Sequence, residues 1–418
     1  MPRFLYSLIF TLCLPLILAR LLYRAWRAPA YARRWPERFA LGGELRAGGI
    51  WVHAVSVGES IAAAPMVREL LKRHPQLPIT ITCMTPTGSQ QIRQLFGDQV
   101  GHAYLPYDLP WLQRRLIRRL QPRIAIIMET ELWPNLVAEC KRARVPVVLA
   151  NARLSVRSAR GYQRVAWLVR PMFAALDWVA VQSAAEAERF IALGVRQPAL
   201  TVTGSIKFDL KPAAELMEKA GQWRAQWGER PVWIAASTHA GEDEVILAAH
   251  QQIVQQHPQA LLILVPRHPE RFDGVARQIQ QARLSMVRRS EGAMPGMADQ
   301  VFLGDTMGEL MQFYACADVA FVGGSLISGG GHNYLEPAAL GLPVLSGPHR
   351  FNFTEISELL EGAGALVEVA DSEALAGQVA GWFGDTEAAR QAGAAGQAVV
   401  KANQGALERL LLGIARLL

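Results

Sequence analysis

The sequence predicts an α/β protein of two domains. From Ile50 onward, short apolar runs alternate with amphipathic stretches of helical length, a pattern typical of parallel strands joined by crossover helices. These runs form two similar series, and 418 residues suffice for two domains of about 150 residues with a short appendage. With 51% hydrophobic and 19% charged residues, the composition is that of a folded chain.

Each series contains six candidate strands. The first comprises Ile50 to Val57, Ile79 to Met84, Ile124 to Met128, Val145 to Ala150, Trp178 to Gln182 and Thr201 to Thr203. The second comprises Val232 to Ala236, Leu261 to Val265, Met286 to Arg288, Val301 to Leu303, Val319 to Val322 and Val344 to Ser346. The polar stretch after Phe208 separates the series, so we assign residues 28–208 and 209–418 to the two domains. The chain after Ser372 is predicted to be helical, and its last helix could pack on either domain.

Residues 1–27 are predicted to anchor the protein to a membrane. The apolar run from Phe4 to Ala19 is close to the roughly 20 residues that span a bilayer, so it could cross the membrane or lie shallowly in it. One basic residue precedes the run and no small-x-small cleavage site follows it, which argues against a cleaved signal peptide. Arginines on its C-terminal flank place the body on the cytoplasmic side. Widely separated cysteines agree with a reducing compartment: Cys13, Cys83, Cys140 and Cys316.

The net charge of +7 and the pI near 9.4 do not predict nucleic-acid binding. Residues 1–46 carry eight arginines against two acids, which leaves the rest of the chain nearly neutral. A nucleic-acid binder would carry its basic patch on the folded domain, interleaved with aromatic residues.

The first candidate catalytic residue, Glu59, follows the first strand in WVHAVSVGES and opens the next helix. In open α/β sheets, ligands bind beyond the carboxyl ends of the strands, so polar residues there are candidates for chemistry. The helix dipole and free backbone amides favour an ionised carboxylate, which could accept a proton from a sugar hydroxyl as a general base. The alternative is an acid that only stabilises the helix.

Two more candidates follow strands of the same series. Glu129 ends the strand in IAIIMETELWPN, whereas Glu131 is interpreted as a charge of the following first helical turn. The alternative for Glu129 is a surface loop acid. Lys207 in TVTGSIKFD ends the last strand of the series, where a cation could meet an anionic ligand; the alternative is a solvated surface lysine.

In the second series, Arg267 and His268 directly follow the strand in LLILVPRHPERF, which suits a phosphate or carboxylate held by a guanidinium. The alternative is a turn with a paired arginine. Further along, FVGGSLISGGGHNYLEP combines a glycine-rich loop, whose amides could approach a phosphate, with a helix predicted to start near Asn333. Glu336 in its first turn could accept both ribose hydroxyls of a nucleotide, and His332 and Asn333 could donate hydrogen bonds. The alternative for the glycine-rich loop is a plain turn. No GxxxxGK[ST] or strand-linked GxGxxG is present, which excludes a P-loop and weakens a dinucleotide oxidoreductase.

These residues occur within motifs that resemble those of the Kdo (3-deoxy-D-manno-octulosonate) transferases of the GT-B superfamily. The resemblance covers nearly the whole chain and keeps the family's order of motifs: HAVSVGE, TPTGS, YLPYDLP, METELWPN, NARLS, GSIKFD, STHAGE, LVPRHPERF, GDTMGEL and GGHNYLEP. It implies an α/β fold of two Rossmann-like domains that face each other across a cleft. It also implies transfer of Kdo from CMP-Kdo to a tetra-acylated, phosphorylated lipid A precursor at the inner membrane.

The resemblance implies a role for each matching residue. Glu59 would deprotonate the acceptor hydroxyl, with Glu129 and Lys207 assisting in the transition state. The CMP site would use Arg267, His268, Gly308, Glu309, Leu310, Asn333, Tyr334, Leu335 and Glu336. Tyr334 departs from the family pattern, where we expect a smaller residue or proline, so its backbone would serve the site.

We expect inversion at the anomeric carbon of Kdo and no cofactor or metal. The chain has no DxD sequence or cluster of metal ligands, and Arg267, Lys207 and the dipole of the helix after the glycine loop could stabilise the developing charge. For the acceptor phosphates and the membrane surface we consider two basic clusters, of which one or both would face the bilayer; the alternative is that they are solvated helix faces. One comprises Arg153, Arg157, Arg160 and Arg164, whose spacing gives one stripe on a helix, and the other comprises Arg114, Arg115, Arg118 and Arg119.

Two other functions are considered. A GT-B transferase or epimerase acting on a UDP-sugar would share the glycine loop and the helix-borne glutamate. A membrane-tethered protein that binds a sugar nucleotide without turnover would need no base at Glu59, and the polar residues at so many strand ends argue against it.

Overall fold

A computed structural model describes residues 2–210 and 212–418, which form two units, each built on a parallel seven-stranded sheet. The first unit contains the described residues up to Asp209 together with Gln404–Leu418, and the second contains the described residues from Leu210 to Asn403. The predicted α/β class and the two series of strands are therefore confirmed.

The elements of the first unit alternate along the chain. Its strands are β1 (Ile50–His53), β2 (Ile79–Cys83), β3 (Gly101–Tyr104), β4 (Ile124–Met128), β5 (Val147–Ala152), β6 (Trp178–Val181) and β7 (Leu200–Val202). Its helices before the second unit are α1 (Pro2–Arg27), α2 (Val57–Arg73), α3 (Pro86–Phe96), α4 (Pro110–Leu120), α5 (Pro134–Arg142), α6 (Val156–Arg164), α7 (Ala166–Ala174) and α8 (Ala184–Ala192).

The second unit and the end of the chain follow. The strands are β8 (Val232–Thr238), β9 (Leu261–Pro266), β10 (Met286–Arg288), β11 (Val301–Leu303), β12 (Val319–Val322), β13 (Val344–Ser346) and β14 (Leu366–Glu368). The helices are α9 (Ala214–Trp227), α10 (Asp243–Gln256), α11 (Phe272–Gln281), α12 (Leu310–Ala315), α13 (Leu335–Ala339), α14 (Thr354–Gly362), α15 (Ser372–Gly384), α16 (Thr386–Asn403) and α17 (Ala406–Ala415).

The strand order creates a switch point in each sheet. The first sheet has the order β3-β2-β1-β4-β5-β6-β7, and the second has β10-β11-β9-β8-β12-β13-β14. The direction of winding changes between β1 and β4 and between β8 and β12, the places where ligands bind in Rossmann-like folds. Helices cover both faces of each sheet, so the central strands are buried along their length.

Two edge strands, β3 and β14, were not predicted from the sequence. β3 reads GHAY, in which glycine and histidine interrupt the apolar pattern, and β14 contains only three residues. The first strand also ends at His53 rather than Val57, because the residues that follow form the turn that caps α2.

Helix α17 belongs to the first unit, so the assignment of all residues after 208 to the second domain is wrong for the last 15 residues, 404–418. Leu410, Leu411 and Ile414 are buried in the same core cluster as Ile50 of β1. The Asp209 carboxylate accepts hydrogen bonds from the backbone N–H groups of Gly405 and Leu407, each at 2.6 Å. The apolar side of α17 therefore completes the cover of the first sheet.

Helix α1 has two different apolar sides. One side packs on the first unit, where Phe10, Leu14 and Leu18 contact a small cluster around Tyr107. The amide of Asn135 in α5 donates to the Ser7 hydroxyl at 3.0 Å. The other side exposes Phe4, Leu8, Leu12 and Leu16. By length and composition α1 could cross a membrane, and only 6% of its most apolar stretch of 18 residues is buried in the structure.

We predict that Gly413→Ala destabilises the first unit. A Cβ atom at this position of α17 would overlap the ring of Trp178 in β6. Overpacking of this kind costs about 1–3 kcal/mol, more than the helix propensity that alanine gains. Hydrogen exchange should accelerate in peptides of β6 and α17 and stay unchanged in residues 212–403.

The matched control is Gly377→Ala, an exposed position in α15 where an added Cβ meets no atom within 4 Å. This substitution should leave stability unchanged or raise it by up to about 1 kcal/mol. Equal protection in the Gly413→Ala variant and the wild type would contradict the packing described for α17.

Candidate active site

Glu59 is fixed by a variant of the capping box at the start of α2. The Ser56 hydroxyl accepts from the Glu59 backbone N–H at 3.4 Å, and the Glu59 carboxylate accepts from the Ser56 hydroxyl at 3.1 Å. The same carboxylate accepts from the backbone N–H of Val55 at 2.8 Å. Glu59 therefore caps the helix and also lies, 8% exposed, at the carboxyl end of β1.

The electrostatics of Glu59 differ from those expected at a helix N-terminus. Burial raises the pKa of Glu59 to about 7, and the negative charges of Glu129 and Glu131 act in the same direction. The hydrogen bonds from Val55 and Ser56 lower the pKa, but they do not offset the loss of solvation. Burial therefore outweighs the effect of the helix N-terminus that the sequence analysis considered, and a pKa near 7 is the value that suits a general base at neutral pH.

Glu129 follows β4, on the other side of the switch point from Glu59. Its φ of 55° places a non-glycine residue in the left-handed region, a conformation that costs energy and is concentrated at functional sites. The Glu129 N–H donates to the carbonyl of Ala150 within β5, at 2.9 Å. The structure thus brings Glu59 and Glu129 close enough for the charge of one to change the pKa of the other.

Glu131 does not belong to a helical turn, because α5 begins only at Pro134. It lies in the loop between β4 and α5, where burial and the charge of Glu129 raise its pKa. The interpretation of Glu131 as a charge of the first helical turn is therefore wrong.

Lys207 lies on a short 3-10 turn, Ile206–Phe208, after β7. The side-chain oxygen of Asn151 accepts from the Ile206 N–H at 3.2 Å and so ties this turn to the end of β5. Asn151 also has a positive φ of 52°, and its buried amide nitrogen has no hydrogen-bond partner within residues 2–210 and 212–418. The sequence analysis missed Asn151, although the motif NARLS contains it.

In the second unit, a carboxylate occupies part of the glycine-rich loop. The buried side chain of Glu242 accepts from the backbone N–H groups of Gly324 at 2.7 Å and of Ser325 and Leu326 at 3.0 Å each. It also accepts from the His239 N–H at 2.9 Å. These three loop amides therefore bind the protein's own carboxylate and are not available to a phosphate, whereas a role of the remaining loop glycines in phosphate binding stays a prediction.

The residues after the loop combine structural and exposed groups. Helix α13 begins at Leu335, which is itself buried, two residues after Asn333, so the predicted helix start near Asn333 is confirmed. The Asn333 side chain donates to the Glu336 carboxylate at 3.1 Å and accepts from the Leu335 N–H at 3.1 Å. Burial raises the pKa of half-buried Glu336. The fully buried Tyr334 hydroxyl lies 2.8 Å from the Ser346 hydroxyl, so the side chain of Tyr334 has a structural role.

Arg267 is exposed at the end of β9, beside half-buried His268. Its positive charge acts on both Glu336 and His332. Arg267, His268, His332 and Glu336 are thus part of one electrostatic environment.

The segment Gly308–Leu310 comprises the end of the loop after β11 and the first residue of α12. Gly308 is exposed with a φ of 89°, and Leu310 is the first residue of α12. The Glu309 carboxylate accepts from Arg289 at 2.8 Å and from the Thr306 hydroxyl at 2.5 Å. Glu309 is therefore already paired within the protein.

Three histidines cluster beside the glycine-rich loop. The Nε2 atoms of His239 and His332 lie 2.8 Å apart with the rings stacked, and the ring of His268 is 5.4 Å from that of His239. Burial lowers the pKa of His332 to about 4 and also lowers the pKa of His239. Two neutral rings can share one hydrogen bond only if one donates and the other accepts. The motif STHAGE at the end of β8 is the signal that could have identified His239.

The predicted arginine stripe is partly wrong. Arg157, Arg160 and Arg164 are exposed on α6, but Arg153 precedes the helix and its carbonyl accepts from the Thr130 hydroxyl at 3.0 Å. In the second cluster, Arg114 pairs with Glu139 and Arg119 donates to the carbonyls of Ala40 and Gly42, which leaves Arg115 and Arg118 exposed.

No group of three or more histidine, cysteine, aspartate or glutamate side chains that could hold a metal ion occurs in the part of the chain that the structure describes.

Comparison with known proteins decides the family. A family profile described as 3-deoxy-D-manno-octulosonic-acid transferase matches residues 33–210, and one for glycosyl transferases group 1 matches residues 236–399. The 3-deoxy-D-manno-octulosonic acid transferase of Haemophilus influenzae is 44% identical over 416 residues, 98% of this chain and 97% of that protein. The chain belongs to the Kdo transferase family. The Kdo transferase of Bordetella pertussis is 40% identical and covers 89% of each chain.

Kdo transferases are glycosyltransferases, so the prediction of an enzyme of this class is confirmed. The fold agrees with a solved UDP-GlcNAc 2-epimerase from Neisseria meningitidis, with a TM-score of 0.58 over 88% of this chain and 100% of that one. At 12% identity, this likeness concerns the fold alone.

We predict that Glu59 titrates with a midpoint near pH 7. Infrared difference spectra should show this titration as a change in the carboxyl band. The Glu59→Gln variant serves as the reference without this carboxyl group, because glutamine retains the side-chain oxygen of the capping box. Glu131→Gln should lower the midpoint, because it removes a negative charge that disfavours ionisation. Glu69→Gln, at a half-buried position towards the C-terminal end of α2, should leave the midpoint unchanged. A midpoint near the ordinary glutamate value of about 4.3 in the wild type would contradict the burial argument.

Proposed function

We propose that this Kdo transferase moves Kdo from CMP-Kdo to a tetra-acylated, phosphorylated lipid A precursor, with inversion at the anomeric carbon and Glu59 as the base. The observation that carries the proposal is the Glu59 carboxylate, which is buried at the switch point of the first sheet with a pKa of about 7. Such a group is ionised in a large fraction of molecules at neutral pH and still basic enough to take a proton in the transition state.

The reaction begins at a glucosamine hydroxyl of the acceptor. Its oxygen attacks the anomeric carbon of Kdo from the side opposite to the phosphate, while its proton passes to the Glu59 carboxylate. The new carbon–oxygen bond forms as the bond between the anomeric carbon and the phosphate oxygen breaks. The electron pair of that bond leaves with CMP. Because the hydroxyl attacks from the side opposite to the leaving phosphate, the configuration at the anomeric carbon is inverted.

Glu129 and Lys207 assist this step in the proposal. Glu129 lies on the opposite side of the switch point from Glu59, in a strained conformation that β5 helps to maintain. The turn of Lys207 is tied to the end of β5 through Asn151. A fixed cation at the edge of this sheet stabilises negative charge that develops in the transition state, without a reorganisation cost at that moment.

The second unit supplies the donor site in the proposal. Arg267 meets the phosphate, because the glycine-loop amides bound to Glu242 are occupied. Glu336, oriented by Asn333, accepts the ribose hydroxyls, and the remaining contacts come from His268, from Gly308–Leu310 and from the backbone of Tyr334 and Leu335. The proposal assigns the stabilising positive charge to Arg267 and Lys207 and requires no metal or other cofactor.

We further propose that the enzyme works on the cytoplasmic side of the inner membrane, with α1 lying along the surface. The support is the packing of one side of α1 on the first unit, while its opposite side exposes Phe4, Leu12 and Leu16. Exposed Trp167 on α7 adds an aromatic side chain of the kind that favours membrane interfaces. The arginines of α6 supply positive charge for anionic lipids and acceptor phosphates.

The test of the reaction is mass spectrometry of a tetra-acylated lipid A precursor incubated with purified protein and freshly generated CMP-Kdo. We expect mass gains of whole Kdo units, and a loss of roughly 10²- to 10⁴-fold in rate for Glu59→Gln. Because the base must be deprotonated, kcat/KM should fall as the pH drops through about 7.

Glu69→Gln on the same helix is the control and should retain the wild-type rate. No mass gain with active donor would reject the proposal, and turnover of a UDP-sugar instead would favour the related epimerase or transferase chemistry. An undiminished rate in Glu59→Gln would reject Glu59 as the base.

Membrane binding is tested by reversing charge on α6. The double variant Arg157→Glu/Arg160→Glu should bind vesicles containing anionic phospholipid roughly tenfold or more weakly, since each arginine near such a surface contributes about 1 kcal/mol. Arg277→Glu/Arg283→Glu makes the same change at exposed positions of the second unit and should bind as the wild type does. Equal flotation of both variants would exclude α6 from the membrane contact.

A further inference from the structure

A polar pocket opens in the first unit between the β4–α5 loop and α6. Its volume is about 390 Å³, which lies within the range of small-molecule sites. Its walls are formed by Thr130, Glu131, Leu132, Trp133, Ser158 and Tyr162. These residues are distinct from those assigned above to the base, to its assisting groups and to the donor.

The indole of Trp133, a residue that lines the pocket, carries an unsatisfied hydrogen-bond donor. Its buried Nε1–H has no partner among the residues that the structure describes. A buried donor left without an acceptor costs about 1–3 kcal/mol, so a ligand oxygen that reaches this N–H as the indole adjusts on binding would recover that energy.

Hydroxyl groups line the pocket beside the indole. The Ser158 hydroxyl accepts from Ser155 at 3.1 Å and can still donate its own hydrogen. The Thr130 hydroxyl donates to the carbonyl of Arg153 and can still accept. The pocket therefore offers both donors and acceptors, as a ligand with several hydroxyl groups requires.

Glu131 and Tyr162 complete the polar wall. The Tyr162 ring packs edge-on against Phe173, with the centroids 5.6 Å apart, which fixes its position. Burial and the negative charge of Glu131 raise the pKa of Tyr162, so the phenol stays protonated and able to donate. An indole, a phenol, a carboxylate and aliphatic hydroxyls together present the mixture of apolar faces and hydrogen-bonding groups that suits a sugar ring.

The pocket adjoins the proposed base. Glu131, which lines it, lies near enough to Glu59 to raise the pKa of that carboxylate. On its solvent side, α6 exposes Arg157, Arg160 and Arg164, so the helix that lines the pocket also presents positive charge. A phosphorylated sugar fits this combination better than a neutral one.

We propose that this pocket binds the phosphorylated hexosamine ring of the acceptor and presents its hydroxyl to Glu59. The inference rests on the proposed function and adds the place where the acceptor sugar is recognised. Trp133 donates to a ring substituent through Nε1, Tyr162 and Ser158 donate to further oxygens, and Glu131 accepts from a hydroxyl or amide of the sugar.

The test separates acceptor binding from donor binding. Trp133→Phe and Tyr162→Phe each remove one hydrogen-bonding group and retain an aromatic ring. We expect each to raise the KM for the acceptor roughly five- to thirty-fold, as the loss of one buried hydrogen bond does, with the KM for CMP-Kdo unchanged. The effect should persist with a de-acylated, water-soluble acceptor, because it arises from the sugar.

The matched control is Trp227→Phe. Trp227 also has a buried Nε1–H without a partner among the described residues, but it lies in the core of the second unit against Phe302. Its substitution should leave the acceptor KM unchanged. Thermal unfolding of all variants identifies any that lose the fold. If Trp133→Phe does not fold, the test rests on Tyr162→Phe, which is the milder change.

Three results would overturn the inference. They are an acceptor KM within twofold of wild type in both variants, an equal rise in the donor KM, and an effect confined to the acylated acceptor. Failure of the proposed function is recognised separately, because the wild type would then transfer no Kdo. In that case saturation-transfer NMR with a phosphorylated glucosamine disaccharide tests whether the pocket binds the sugar. The inference is rejected if the wild type gives no signal, or if Trp133→Phe gives a signal as strong as that of the wild type.

Discussion

The reversal of strand order at the centre of each sheet is the constraint on which the candidate site depends. In the first unit β1 pairs with β2 on one side and with β4 on the other. The segments that follow β1 and β4 therefore leave the sheet in diverging directions. The space that opens between the two exits receives Glu59 from one strand and Glu129 from the other. The second unit repeats the arrangement with β8 and β12, whose exits carry His239 and the glycine-rich loop.

Two buried carboxylates show how the same local device serves different ends. Glu59 and Glu242 each accept backbone N–H groups after the first strand of their sheet. Glu242 accepts hydrogen bonds from four backbone N–H groups and so fixes the glycine-rich loop. Glu59 accepts hydrogen bonds from only one backbone N–H group and one hydroxyl, and it lies near the negative charges of Glu129 and Glu131. The poorer compensation leaves Glu59 with a raised pKa, the property that the proposed chemistry uses.

The positions of functional residues at strand ends were predictable, but their partners were not. The apolar run before Glu129 and the helix after Glu59 are local patterns, and both are present as predicted. The contact between Glu242 and the loop amides joins residues 82 to 84 positions apart, so no local pattern could indicate it. Glu131 was misjudged for a related reason, because the bend of the β4–α5 loop towards α6 depends on packing between elements.

The sequence by itself determined the α/β class, the two series of strands and the family, because strand burial and motif order are written in consecutive residues. The tertiary structure alone decided that α17 returns to the first unit, that burial sets the pKa of Glu59 near 7, and that six residues from the β4–α5 loop and α6 enclose a pocket. These properties depend on solvent exclusion and on contacts between distant segments. Such effects are sums over neighbours in space, which a linear pattern does not specify.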